Sequence, residues 1–185
     1  QHADIAQKII TQANSQFTGK EERLDESPVL AELANAKGVL IYDIESDSDA
    51  GEDFLHGFIQ MNPTKKGKWN INEAKYHPML ILSQHGKQAA WKRIKYKLLL
   101  HKSWPILHYG ETEAIALLRL AKLHGAKEEE LFDLKNRLID IHSRLKFHWY
   151  LPVNSYSLKT VASWIGFKWS QKGSDGARAL LWWRQ

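Results

Sequence analysis

The sequence predicts an α/β fold: a mixed sheet, made of an antiparallel meander plus a parallel strand, flanked by helices. Three observations lead there. Val39-Leu40-Ile41-Tyr42 is a short apolar run rich in β-formers, bounded by polar residues, and reads as a buried strand. Two further strand-like runs follow it across short polar connections, which suits a meander. Beyond them the pattern changes to helix, strand, helix, helix. An α+β domain with two separate layers is the alternative arrangement.

Taken in order, residues 3–35 carry apolar periodicity at Ile5, Ile9, Ile10, Leu30 and Leu33, as one or two short helices would, with a polar connector from Gly19 to Pro28. The first strand spans roughly 38–45. A second is expected near Phe54 to Met61, and a third near Lys68 to Lys75, after the Asn62-Pro63 turn and the Gly67 break. Residues 84–102 form an amphipathic helix with Ala90, Trp91, Ile94 and Leu98 on one side and cations on the other. Trp104 to Tyr109 is a short apolar strand. Glu111 to His124 is a helix stopped by Gly125, and Glu128 to about Lys146 is another, with acids in its first turn. Pro152 interrupts the chain, Ser157 caps a short helix ended by Gly166, and Ser174 or Asp175 begins a last helix.

The chain has 185 residues, 43% hydrophobic and 25% charged, the composition of one globular domain with an aromatic core drawn from eight Trp. The absence of Cys excludes disulfides and thiolate metal sites. No apolar run approaches the ~20 residues of a membrane span, so a cytoplasmic protein with no membrane partner is the default expectation. The first residue is Gln1, and the apolar end at Leu181-Trp182-Trp183 reads as a cut through an element of a longer protein.

The net charge of +5 is unevenly spread. No acid lies between Glu73 and Glu111, where Lys92, Arg93 and Lys95 stand among other cations; after Asp140 the only acid is Asp175. A basic surface around an acidic pocket suits a protein that holds a phosphate backbone, although such a run also serves as an ordinary solvated helix face.

The acids themselves are placed for chemistry. Asp43 and Glu45 are spaced i, i+2 at the end of the first strand, so they share a face with Cβ atoms roughly 6–7 Å apart. A divalent cation would relieve their repulsion; alternatively the strand simply ends in a polar loop. In His108-Tyr109-Gly110-Glu111-Thr112-Glu113 a strand enters a helix, and Glu113 falls on the first turn, where it either faces the same pocket or only complements the helix N-terminus. Asp140 lies between Ile139 and Ile141, a poor helix position for Asp. The nine His show no zinc-protease spacing, and neither a phosphate-cradling Gly-rich loop nor a nucleophile elbow is present.

Four segments in order, Tyr42-Asp43-Ile44-Glu45, His108 to Glu113, Leu138-Ile139-Asp140, and Ser155-Tyr156-Ser157-Leu158-Lys159 leading to Gly166-Phe167, resemble the RNase H-like exonuclease domains of the DEDD type, in the version attached to RecB-like nucleases. The similarity covers residues 37–185, with residues 1–36 as a helical N-terminal extension. The resemblance implies an RNase H-like fold and hydrolysis of nucleic acid from a 3′ end, DNA before RNA, with two Mg²⁺ or Mn²⁺ ions about 4 Å apart. Asp43, Glu45 and Glu113 would then be metal ligands, with Asp43 bridging, and Asp140 an acid near the site. Tyr109, Lys159, Lys92, Arg93 and Lys95 would hold the strand. The family's further acid, in a Tyr-Asn-x-x-Asp-like segment, has no match here, which implies a domain truncated at its C-terminus with weak or no activity. A non-catalytic nucleic-acid-binding module, or a structural one beside a nuclease or helicase domain, is the alternative.

Overall fold

A computed structural model describes residues 2–82, 84–169 and 176–185. The elements in chain order are α1 (His2–Thr18), β1 (Glu22–Arg23), β2 (Val39–Asp47), β3 (Glu52–Met61), β4 (Lys75–Leu80), α2 (Gln84–Leu100), β5 (Ile106–His108), α3 (Glu111–Leu123), α4 (Glu128–Arg137), β6 (Leu138–Asp140), α5 (Ile141–His148), β7 (Trp149–Tyr150), α6 (Leu158–Trp164) and α7 (Gly176–Trp183), with single 3-10 turns at Ala31–Leu33 and Ile71–Glu73. The chain divides into two compact units, residues 1–31 with 141–170 and residues 32–140 with 171–185.

The larger unit holds a five-stranded mixed sheet in the order β4-β3-β2-β5-β6. β2, β3 and β4 form the expected antiparallel meander, while β5 runs parallel to β2 and β6 parallel to β5. Side-chain alternation on β2 sends Leu40, Tyr42 and Ile44 into the core, where they meet Phe58, Trp91, Ile94, Leu98, Ile106 and Leu117. Ala90, Trp91, Ile94 and Leu98 are the buried stripe of α2, as its periodicity predicts.

Two elements differ from the sequence expectation. The third strand is Lys75–Leu80 rather than 68–75. Asn70 accepts from the Asn72 N–H at 3.1 Å and starts the turn Ile71–Glu73, so the strand begins later, and its Pro78 is tolerated because β4 is an edge strand. The helix expected over 128–146 is broken into α4, β6 and α5. Ile139 is buried and pairs with Leu107 of β5, a placement that its β-branched side chain favours over a helix. The sheet therefore gains a second parallel strand. The expected start of the last helix at Ser174 or Asp175 lies outside the described residues.

Arg137, the last residue of α4, ties this break down. Its guanidinium donates to the carbonyls of Leu98, His101 and Trp104 at 3.3, 2.8 and 2.9 Å, satisfying the C-terminal end of α2 and the turn into β5. At the other end of the sheet Arg184 donates to both carboxylate oxygens of buried Asp47 at 2.6 and 2.7 Å, and to Asp49 at 2.7 Å. Trp183 stacks on Phe54 with ring centroids 5.2 Å apart, so α7 is fixed against β2 and β3.

In the smaller unit β1 pairs antiparallel with β7. Ser15 is buried and donates to the carbonyls of Lys20 and Tyr150, and Tyr156 joins the Trp149 carbonyl to the Leu151 N–H. Leu151, Val153 and Val161 form its small core. Ser157 caps α6 by accepting from the Thr160 N–H, as expected.

Two outcomes follow from this packing. A Cβ at Gly38 would overlap the six-membered ring of buried Trp104. Gly38→Ala is expected to lower stability by about 1–3 kcal/mol in urea denaturation. The Arg184 pair holds the Asp47 pKa down, from an ordinary 3.8 to about 2. Its contribution is therefore present above the unfolded pKa and lost as pH falls towards the folded one. Acid titration of Arg184→Gln should lack that loss, while the parent chain shows it.

Candidate active site

Alternation along β2 puts Ile41, Asp43 and Glu45 on the face opposite the core residues Leu40, Tyr42 and Ile44. They line a groove of about 180 Å³ with Leu55, Gly57, Ile59 and Tyr76. Gly57 stands directly opposite Asp43 in the β2–β3 register. Its missing side chain lets the Tyr76 ring lie across β3: a Cβ there would be 3.1 Å from the ring. A β-bulge follows Glu45, where the pairing steps from Glu45–Leu55 to Ser46–Asp53. The bulge turns the strand end beside the acids, a common device near functional sites.

Glu113 reaches the same end of the sheet from α3. Gly110 precedes that helix with φ +100°, a backbone that favours glycine, and its N–H donates to Asp140 Oδ1 at 2.8 Å. Buried His108 donates from Nδ1 to the Gly110 carbonyl at 2.7 Å. Asp140, at the end of β6, thus ties down the turn that leads into α3, and it lies on a strand and not in mid-helix.

The electrostatics join three of the acids. Partial desolvation at the groove pushes the Asp43 pKa up, although the residue as a whole is exposed. Burial also raises that of Glu113, and the nearby charges of Asp43 and Asp140 raise it further. Glu113 Oε2 is buried with no hydrogen-bond partner among the described residues. Tyr42 lies beneath them; desolvation and the charges of Asp53, Glu113 and Asp43 keep its hydroxyl protonated. That hydroxyl is 2.8 Å from Nδ1 of fully buried His56, which burial keeps neutral. Glu45 is half-buried at the start of α7: a Cβ on Gly176 would come within 2.9 Å of Glu45 Oε2.

The donor set is hard carboxylate oxygen, and Glu113 Oε2 has no hydrogen-bond partner among the described residues, so these residues fit Mg²⁺ or Mn²⁺ in kind. Asp43, Glu113 and Glu45 would be the side chains to hold it. Among the described residues, however, no group of three or more His, Asp or Glu stands ready-made as a metal cage.

The expected strand-holding residues are scattered. Tyr109 is half-buried in the turn after β5, and Lys92 is exposed on α2. Arg93 reaches the Pro78 carbonyl at 3.5 Å, and Lys95 pairs with Glu130 at 3.1 Å. Lys159 lies in the smaller unit, exposed on α6. A larger cavity, about 740 Å³ between α2, α3 and α4, holds none of the expected acids. Sequence reasoning did not single out Tyr76, Gly57 or His56, which the structure places beside the acids and Tyr42. A glycine inside a strand was the available signal for Gly57; the others depend on pairing register.

A five-stranded mixed sheet with an acid pair on its central strand, and a third acid entering from the helix after the parallel neighbour, is an RNase H-like fold. The family model of the RNase H superfamily matches residues 40–185, and the chain belongs to that superfamily. Membership points to nuclease-type action on nucleic acid, chemistry that in this superfamily typically uses divalent metals. No curated protein matches the chain, and no solved structure matches it. Among the described residues no helix is long and apolar enough to cross a membrane.

The raised pKa values set a thermal test. A carboxyl whose folded pKa lies above its unfolded one contributes stability that is complete below about pH 4 and lost as pH rises through the folded value. Glu113→Gln should therefore raise the melting temperature in EDTA at neutral pH by about 2–4 °C, and Asp43→Asn, at an exposed residue whose charge solvent screens, by less. Each should also weaken the rise that Mg²⁺ gives the parent chain. A lower melting temperature for both variants in EDTA would show that the acids are already compensated by the protein.

Proposed function

We propose that residues 37–185 form a metal-dependent 3′–5′ exonuclease domain of the DEDD type, in the version found with RecB-like nucleases. The observation that carries this reading is the buried, unpartnered Glu113 Oε2 beside the desolvated Asp43. Two carboxylates held at raised pKa, from two elements that meet at one end of the sheet, are costly unless a cation joins them. Support also comes from the order of the four segments along the chain and from the superfamily match.

In this reading Asp43, Glu113 and Glu45 would hold the metal, with Asp43 the residue that would be shared between two ions. A bound divalent ion would polarise the phosphodiester and lower the pKa of the attacking water. Asp140 holds the Gly110 N–H, and through it the approach of Glu113. Tyr109, Lys92 and Arg93 contact the strand backbone; Lys95 joins them only by giving up Glu130. DNA is the preferred substrate, and the domain works in the cytoplasm beside a nuclease or helicase domain of the same protein. A second reading, a non-catalytic nucleic-acid-binding module, fits the finding that among the described residues no three His, Asp or Glu stand ready-made as a metal cage.

A 5′-labelled single strand incubated with the chain in Mg²⁺ or Mn²⁺ separates the two. The exonuclease reading expects a ladder shortening from the 3′ end, abolished by EDTA and reduced at least about a hundredfold by Asp43→Asn. Binding without hydrolysis in either metal supports the module. Hydrolysis that survives both EDTA and Asp43→Asn removes these acids from the chemistry.

A further inference from the structure

The α6 region of the smaller unit carries aromatic side chains that its own core does not use. Val161 faces that core, but Trp164 is 37% exposed, and Phe167 and Trp169 are 53% and 54% exposed. The last two are held edge to face, with ring centroids 5.1 Å apart. Gly166 and the Phe167 N–H, which donates to the Ala162 carbonyl at 2.9 Å, end the helix and fix where this pair begins. Lys159 and Ser163, spaced i, i+4, line a cavity of about 510 Å³ with Trp164 and Asn154. Lys168 stands between the paired rings in sequence and is exposed. Residues 141–169 contain no Asp or Glu; the acids of this unit, from Asp4 to Glu26, all lie on its N-terminal segment.

We propose that this α6 surface is a second binding site, separate in its residues from the acidic groove, that takes single-stranded nucleic acid by stacking bases on Trp164, Phe167 and Trp169 and holding phosphates with Lys159 and Lys168. Exposed rings want a flat or apolar partner, and an acid-free stretch with two flanking lysines wants an anionic one. A single strand offers both at once, because its bases are free to stack. A duplex offers phosphates but hides its base faces. An apolar protein surface would cover the rings but gain nothing from the missing acids. The choice of nucleic acid as ligand rests on the proposed function; the choice of single strand and of this surface does not.

The test is fluorescence anisotropy of a labelled oligothymidylate of about 20 nucleotides, in EDTA so that no hydrolysis occurs. Trp164→Ala should weaken binding about tenfold. The double variant Lys159→Glu, Lys168→Glu, all on the surface, should weaken it and lower the salt slope by about 1–2. A duplex of the same length should bind more weakly and ignore Trp164→Ala. Unchanged binding by both variants overturns the proposal, as does equal binding of duplex and single strand. So does a change of oligomeric state in Trp164→Ala with binding intact, which would make the rings a contact between copies. A chain that binds in this Trp164-dependent way but never cuts sinks the exonuclease reading and leaves this site standing. A chain that cuts but is indifferent to Trp164 does the reverse.

Discussion

β2 pairs antiparallel with β3 along its length and parallel with β5 at Leu40 and Ile41, and this double pairing governs what surrounds it. A strand so placed has no freedom to rotate, and a one-residue slip would exchange its two faces. Leu40, Tyr42 and Ile44 must then go to the core and Asp43 must not. The helices that cover the even face, and the groove left on the odd face, follow from that parity. The parallel neighbour adds the third acid, because a strand that runs alongside β2 hands its following helix to the same end of the sheet.

The acidic end is held under tension of charge, not of backbone. Burial works against both Asp43 and Glu113, and the charge of Asp43 adds to it at Glu113, while in the hairpin a few residues away Arg184 pairs with Asp47 and Asp49, Arg119 with Asp53 and Lys87 with Glu52. The protein pairs the acids of its turn with cations, whereas Asp43 and Glu113 are offset by backbone N–H groups, those of Ile44 and of Glu113 itself. The contrast within one strand argues that the imbalance is specific to the groove. The same accounting qualifies the basic face of α2: Lys87 pairs with Glu52 and Lys95 with Glu130, so the field a ligand meets is smaller than the count of lysines implies.

Much of this was legible in the sequence because it is local. The apolar run into Asp43, the stripe of α2, the Gly125 stop and the Ser157 cap each sit within a few residues of their cause. What was not legible depends on partners far along the chain. Ile139 reads as helical until Leu107 is beside it, and Asp140 has no visible role until the Gly110 N–H faces it. The late start of β4 hides behind the capped turn at Asn70, and its Pro78 reads as a breaker unless the strand is known to be an edge. The pairing of Glu22–Arg23 with Trp149–Tyr150 leaves no local trace at all, being only two residues long on each side.

Arg137 has a consequence for how the sheet can come apart. One guanidinium serves carbonyls 33 to 39 residues earlier in the chain while its own backbone leads into β6. An edge strand of three residues would ordinarily fray by itself, opening and closing far more often than the strands beside it. Here, fraying that carries Arg137 away uncaps α2 and strips the turn before β5 of its donors. One side chain thus ties the two ends together, so opening of the strand that moves Arg137 also costs the end of the core helix its hydrogen bonds. The turn that Asp140 anchors inherits that steadiness, although it stands at the margin of the sheet.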